Sequence, residues 1–279
     1  MRRLLFAFAL IVPFTLVACE GEDAARPLAE NVSAADLTRQ LAASYDEGLG
    51  SLVTLRVFGA GTSLYYIAQA DSAGAEPMLR FVRDPEAGPP TDPSAANLLF
   101  FYPPDTRYLA SHLDSAAVSG PTKREGADTY ILESNDPSDA GIPSVPGTAD
   151  HLVRVYLDAR TLDVRELFHQ FRLDTMATPL SQRILYDDYR EVTENVRLPF
   201  RVRQIQQGLR PSDQDVIVRG APLAIREQQA QSLPPAQREA ELQEIAREKE
   251  RLVEGINELT LQIDSVRVNV PKPRSLSPL

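Results

Sequence analysis

The sequence has no tryptophan, only three histidines and a single cysteine in 279 residues. A lone thiol has no partner within the chain, which excludes an internal disulfide framework and a zinc site built from several cysteines. Basic residues are also in the minority, because 29 lysines and arginines stand against 39 aspartates and glutamates, for a formal charge of −10. Proteins that bind phosphate backbones carry a basic surface, so nucleic acid is not a predicted partner.

Only one long apolar run occurs, and it lies at the N-terminus. Arg2 and Arg3 precede an almost unbroken apolar stretch from Leu4 to Ala18. This stretch is too short for a membrane-spanning helix, which needs about 20 residues, but it fits the apolar region of a secretory signal peptide behind a positive start. Residues 1–18 are therefore predicted to be a signal peptide.

The end of this run carries a more specific signal. Leu16, Val17, Ala18 and Cys19 resemble the lipobox of bacterial lipoproteins, which directs lipidation of the cysteine and cleavage before it. The resemblance implies that acyl chains on Cys19 attach the protein to a membrane. Several buried chains give lasting attachment, because each methylene contributes about 0.8 kcal/mol. The alternative is an incidental cysteine beside an ordinary cleavage site after Ala18.

Cleavage before Cys19 leaves 261 residues and removes two arginines but no acidic residue, so the formal charge becomes −12. In the lipoproteins that this signal resembles, an aspartate after the cysteine favours retention at the inner membrane, whereas this chain has Glu20 there. The predicted location is therefore the bacterial cell envelope, at the outer membrane and facing the periplasm. The polar and acidic residues 19–33 predict a tether between the lipid and a folded domain.

Beyond the tether, the apolar period changes from helical to extended. Ser33 is a predicted N-cap for a helix over residues 34–47, which Gly48 ends. Short segments of period 2 follow, separated by Pro- and Gly-rich loops, and they predict one antiparallel sheet that curves or closes. The predicted fold class is mainly β with helices, or α+β. The predicted strands cover residues 53–58, 64–67, 78–83, 98–102, 107–112, 129–133, 152–157, 164–171, 182–189, 198–206 and 216–219.

Two features distinguish the C-terminal part. Residues 221–255 are rich in charge and have a helical stripe after Pro234 and Pro235, which predicts two helices with a break at the prolines. They could cover one face of the sheet or protrude as an arm that binds a partner protein. The alternation from Leu259 to Ile263 then changes parity at Ser265, which predicts a bulge in a final strand. Residues 272–279 are predicted to be a free tail.

No catalytic signature is present. The sequence contains no nucleophile elbow, phosphate loop or HExxH motif. His112, His151 and His169 lie on separate segments without a repeated spacing to carboxylates and are interpreted as structural. Asp187 and Asp188 are adjacent on a predicted strand and point to opposite faces, so they cannot share one site. The sequence therefore predicts no enzyme, no metal and no cofactor.

Five stretches carry a resemblance to a known family. They are Val155-Tyr156-Leu157-Asp158, Val164-Arg165-Glu166-Leu167-Phe168, Ile184-Leu185-Tyr186-Asp187-Asp188-Tyr189, Arg197-Leu198-Pro199-Phe200-Arg201-Val202 and the run from Leu259 to Pro271. Together they resemble the LolA-like outer-membrane lipoprotein-sorting proteins, the superfamily that includes LolB, over most of residues 34–271. The resemblance implies a curved antiparallel half-barrel with helices over its open side, around an apolar cavity that receives acyl chains of lipoproteins or other lipids.

Two features depart from this family. Glu194 and Asn195 stand in a turn where its members usually have glycine, and ordinary carriers lack a charged helical insertion such as residues 221–255. A lipidated Cys19 makes the chain more similar to an outer-membrane acceptor than to a periplasmic shuttle.

Strand parity selects the side chains that would line such a cavity. They are Val53, Leu55, Val57, Val153, Val155, Leu157, Leu198, Phe200, Val202, Leu259, Leu261 and Ile263. The predicted function is non-catalytic binding of acyl chains or lipidated proteins by a lipid-anchored protein. Two alternatives stay open: these side chains simply fill a core, or the sheet is a scaffold or stress-sensing module whose helices at 221–255 bind a protein.

Overall fold

A computed structural model describes residues 32–69, 78–143, 146–174, 176, 178–208 and 213–271. The fold is α+β, with an open ten-stranded antiparallel sheet and five α-helices in these residues. The strands are β1 (Thr54–Gly59), β2 (Thr62–Gln69), β3 (Met78–Arg83), β4 (Ala117–Arg124), β5 (Ala127–Ser134), β6 (Thr148–Asp158), β7 (Val164–Leu173), β8 (Leu180–Thr193), β9 (Val196–Gln207) and β10 (Asn257–Val268). The helices are α1 (Ala34–Glu47), α2 (Pro93–Ala96), α3 (Thr106–His112), α4 (Asp213–Ala230) and α5 (Pro235–Glu254).

The sheet order is β3-β2-β1-β10-β9-β8-β7-β6-β5-β4. Neighbours in the sheet are therefore neighbours in sequence except for β1 and β10, which join the two ends of the domain. Leu55 pairs with Val268 and Val57 with Val266, and the register shifts where Gly59 meets Ile263. This irregularity confirms the bulge that the parity change at Ser265 predicts.

The core lies between one face of the sheet and the helices α1, α2 and α3. Ser33 accepts a hydrogen bond from the Asp36 N–H and starts α1, whose buried Leu37 and Leu41 face the sheet. Leu98 and Leu99 reach the same apolar cluster from a 3-10 helix over Asn97–Phe101. The interior of the open sheet is thus occupied by side chains of the covering helices.

Most predicted elements are confirmed, and three predicted strands are wrong. The helix at 34–47 forms as α1, and the remaining predicted strands lie within or overlap β1–β3 and β5–β9. The predicted strand at 98–102 is wrong because these residues form mainly the 3-10 helix. The predicted strand at 107–112 is wrong because these residues belong to α3. Asp105 caps α3 by accepting from the Tyr108 N–H at 2.9 Å. Residues 216–219 are wrong because they lie in α4.

The segment between β9 and β10 is a helical hairpin, α4–α5, that starts at Asp213, earlier than the predicted residue 221. Leu223, Ala230 and Ile245 form its own apolar cluster, separate from the main core. Charges join the helices as well, since Arg226 donates to both Glu241 and Glu248 at 2.8 Å. Binding of a protein partner by this hairpin stays a prediction.

The predicted anchor and tail lie largely outside the described residues. These include the signal peptide, Leu16, Val17, Ala18, Cys19, most of the tether and residues 272–279. Among the helices that are described, none combines the length and apolar character that crossing a bilayer requires.

Candidate functional site

An apolar pocket of about 340 Å³ lies on the helix-covered face of the sheet, at the end where β6 and β8 begin and β7 ends. We call it the histidine pocket. Its floor comes from three neighbouring strands, whose register places Leu167 opposite Ile184 and His169 opposite Gln182. Residues two apart in a strand share a face, so the side chains of Leu167, His169 and Phe171 line one wall together.

The roof of the pocket comes from two loop segments. Phe101, at the end of the 3-10 helix, covers one side, and residues 140–143 cover the other. Asp136 fixes the second segment, because its carboxylate accepts from the Ser138 N–H at 2.9 Å and starts a short 3-10 helix. Gly141 ends this helix with a φ of 71°, a left-handed conformation that glycine adopts without strain.

Two histidines form the polar end of the pocket. His151 Nδ1 lies 3.1 Å from His169 Nε2, and the two rings are nearly parallel, at 8°. Val153 pairs directly with His169, so His151, two residues earlier on β6, reaches the same face. Asp150 has a φ of 53° at an irregularity in the pairing of β6 with β7, next to His151. The Phe171 ring stacks on His169 with centroids 4.9 Å apart.

Burial decides the charge of His169. His169 is 7% exposed, and burial lowers its pKa to about 4, with a smaller contribution from the neighbouring His151. His169 is therefore neutral at pH 7. Neutral imidazoles can share one N–H···N hydrogen bond, in which one ring donates and the other accepts. The pocket thus combines aromatic and aliphatic walls with a polar end that includes the neutral imidazole of His169.

A second cavity, of about 510 Å³, lies at the opposite end of the same strands. It is bordered by the C-terminal part of α1, the β6–β7 turn and the β8–β9 turn, and its walls carry the charges of Arg160, Asp163 and Arg197. Burial raises the pKa of Asp163, although Thr161 and Arg197 both donate to that carboxylate at 2.8 Å. This cavity is a poorer match for an apolar ligand, because buried charge must remain paired.

The opposite face of the sheet carries an ion-pair network. Glu166 accepts from Arg124 at 2.9 Å and from Arg183 at 2.7 Å, and Asp187 accepts from Arg203 at 2.9 Å. Glu166 and Asp187 each have arginine partners, and these contacts join neighbouring strands. We assign this face a structural role.

The twelve side chains predicted to line a cavity lie elsewhere. Nine belong to the main apolar cluster: Leu55, Val57, Val155, Leu157, Leu198, Phe200, Val202, Leu261 and Ile263. Val153 is buried, Leu259 packs against the cluster, and Val53 precedes β1 with 60% of its surface exposed. None of them borders the histidine pocket, and Leu198 borders the second cavity. Their contact with a ligand stays a prediction.

Sequence reasoning missed the histidine pair. His169 belongs to the predicted strand 164–171, and His151 directly precedes the predicted strand 152–157. A short turn joins these two strands, so antiparallel pairing could have placed the two histidines side by side. In the described residues, no group of three or more histidine, cysteine, aspartate or glutamate side chains is arranged to hold a metal ion.

Comparison with known proteins found no match. No family model, no curated protein and no solved structure matches this chain. The resemblance to LolA-like proteins stays a prediction based on residue patterns.

Proposed function

We propose that this chain is a lipid-anchored envelope protein that binds an amphiphile non-covalently, with its apolar chain in the histidine pocket. The proposed architecture is a LolA/LolB-like half-barrel, and the proposed ligands are acyl chains of lipids or lipidated proteins. One observation carries the proposal: the pocket has mainly apolar walls and gathers its polar groups around one histidine pair.

The size and chemistry of the pocket support a single chain of moderate length. Ligand sites in proteins span about 300–1,000 Å³ and combine apolar walls with a few polar groups. At about 340 Å³ the histidine pocket is at the small end of this range. The neighbouring core is filled by Leu98, Leu99 and Tyr102, so we place the ligand in the pocket and not between sheet and helices.

The absence of tryptophan allows a direct test. Phe101 lines the pocket and Phe100 does not, so Phe101→Trp and Phe100→Trp each introduce one fluorophore on neighbouring residues. We would titrate the mature chain, with Cys19→Ser to remove acyl groups, with 1-decanol. We expect a saturable blue shift for Trp at 101, because the indole loses water, and little change for Trp at 100.

A second substitution confirms the place of binding. Ala140 borders the histidine pocket, and Ser44 borders the second cavity. In the Phe101→Trp chain, Ala140→Leu should weaken decanol binding by roughly tenfold, or about 1.4 kcal/mol, by filling the pocket. Ser44→Leu should leave it unchanged. Absence of saturable binding, or weakening only by Ser44→Leu, would overturn the proposal.

A second candidate function is a scaffold that binds a protein through the α4–α5 hairpin. It is favoured by the separate cluster of this hairpin and by the exposed Ile225 and Val253. Deletion of residues 209–255 distinguishes the two candidates. Loss of a co-purifying protein from the deletion variant supports the scaffold. Decanol binding that is retained in that variant, with no bound protein lost, supports amphiphile binding in the histidine pocket.

A further inference from the structure

We propose that the histidine pair selects an amphiphile with a carboxylic acid headgroup and takes up one proton when that ligand binds. This inference rests on the proposed function and adds the headgroup to it. Three of the four ring nitrogens have a hydrogen-bond partner: His151 Nδ1 and His169 Nε2 face each other, and His151 Nε2 contacts Thr148. The fourth, His169 Nδ1, is the group that we assign to the ligand.

Two sets of tautomers satisfy the contacts of the pair, and we assign the set in which both rings carry their hydrogen on Nε2. In this set His151 Nε2–H donates to Thr148 Oγ1, 3.2 Å away, and His169 Nε2–H donates to His151 Nδ1. His169 Nδ1 is then an acceptor, and it has no hydrogen-bond partner in the described part of the chain. Because His169 borders the pocket, this lone pair is available to a ligand that brings an O–H group.

A carboxylic acid fits this acceptor better than a carboxylate alone. A carboxylate brings no hydrogen, so its approach to a neutral Nδ1 would leave two acceptors facing each other. A shift of both rings to the other tautomer would supply an N–H but would leave a carboxylate charge without a counter-charge in an apolar site, which is costly. One proton from solvent, whether it resides on the ligand oxygen or on Nδ1, resolves the conflict and removes the net charge. The complex then holds a short hydrogen bond or an ion pair in an apolar site, where such contacts are strong.

The charged groups around the pair do not supply this proton or replace it. Asp136, beyond the roof, interacts electrostatically with His151 and is held by Ser138. Asp150 of β6 is paired with Arg172 of β7 at 2.7 Å, and Asp139 of the roof accepts from Ser134. The β8 neighbour of the pair is the uncharged Gln182. No described arginine or lysine lines the pocket to hold a carboxylate.

The sign of the pH dependence follows from proton uptake. A free fatty acid of medium length is ionised above about pH 5, and the pKa of free His169 is about 4. In the complex, the ligand carboxylate and His169 share one proton and hold it up to a higher pH. At pH values between these two limits, the complex holds one proton more than the free protein and the free ligand together. Affinity therefore falls as pH rises, with a limit of about tenfold per pH unit.

The test compares decanoic acid with 1-decanol on the Phe101→Trp reporter between pH 5.5 and 8. Decanol brings its own O–H, so its dissociation constant should stay constant across this range. The dissociation constant of decanoate should rise several-fold per pH unit. In His169→Gln the pH dependence of decanoate binding should become flat, because a glutamine side chain does not titrate in this range.

The outcomes separate this inference from the proposed function. If neither compound binds, the proposed function fails. If decanol binds and decanoate shows no pH dependence, or shows the same dependence in His169→Gln, the headgroup assignment fails and the pocket assignment stands.

Discussion

At the scale of single residues, the buried carboxylate on the outer face of the sheet offers the clearest stability test. The Glu166 side chain is 4% exposed and holds Arg124 and Arg183, whereas Glu133 pairs with Arg154 at 40% exposure. Glu166→Gln should lower the free energy of unfolding by about 3 kcal/mol, because it removes the buried counter-charge that two guanidinium groups share. Glu133→Gln should cost less than about 1 kcal/mol. Urea unfolding of both variants measures the difference, and equal costs would contradict this assignment.

A buried tyrosine offers a second residue-scale test. The Tyr102 hydroxyl is buried and has no hydrogen-bond partner in the described residues, whereas the Tyr186 hydroxyl donates to the Phe101 carbonyl at 2.9 Å. Tyr102→Phe should therefore leave stability unchanged or raise it by about 1 kcal/mol. Tyr186→Phe should lower it by about 1 kcal/mol because the carbonyl loses its donor. Thermal unfolding checks both, and a destabilising Tyr102→Phe would mean that its hydroxyl is satisfied.

At the scale of elements, the α4–α5 hairpin should be dispensable for folding. Its apolar cluster is separate from the main core, and Gln206 of β9 pairs with Asn257 of β10, so the strands that carry it end close together. Replacement of residues 209–255 by a short glycine-rich turn should give a folded domain with one cooperative unfolding transition. Its midpoint should stay within a few degrees of the parent chain. An aggregated or non-cooperative product would show that the hairpin is part of the core.

A matched pair of substitutions tests whether the hairpin is separate from the main core. Ile245→Ala empties the hairpin cluster and should reduce helical content locally, with little effect on sheet unfolding. Ile184→Ala, in the main core, should lower global stability by about 2–5 kcal/mol. Circular dichroism and amide exchange of both variants distinguish local from global loss.

The elements also show which features a sequence can predict. The alternation of Leu259, Leu261 and Ile263 fixes which face of β10 is buried, because a one-residue slip would expose all three. The run Leu98–Tyr102 has no alternation, so its apolar residues fit a buried helical turn as well as a strand. At 216–219, β-branched residues cost a helix only tenths of a kcal/mol each, and the helical residues on either side outweigh them.

The candidate site was harder to predict than the fold. The walls of the histidine pocket come from three strands and two loops, so no local spacing relates its members. The strand β4 is not predicted from the sequence, because it contains Gly120 and Pro121 and has few apolar residues. The pairing of His151 with His169 depends on register and on the bulge at Asp150, both of which are set by tertiary contacts.

At the scale of the whole molecule, attachment to the membrane should depend on one sulfur. Cys19→Ser in a chain whose residues 1–18 are replaced by an ordinary cleavable signal peptide, produced in a bacterial host, should move the protein from the membrane fraction to the soluble fraction, because the lipid anchor is lost. The formal charge of −12 on the mature chain repels anionic lipid and should not hold it there. Incorporation of labelled palmitate measures lipidation directly. Membrane attachment that survives Cys19→Ser would contradict the anchor.

The central claim is that an amphiphile binds in the histidine pocket, and methyl NMR of the Cys19→Ser mature chain tests it most directly. On titration with 1-decanol, the account predicts saturable shifts for the methyl groups of Ile142, Leu167 and Ile184, which line that pocket. The methyl signals of Leu41, Leu49 and Leu162, which line the second cavity, should not shift. Shifts confined to the second cavity, or no saturable shift at all, would contradict the account.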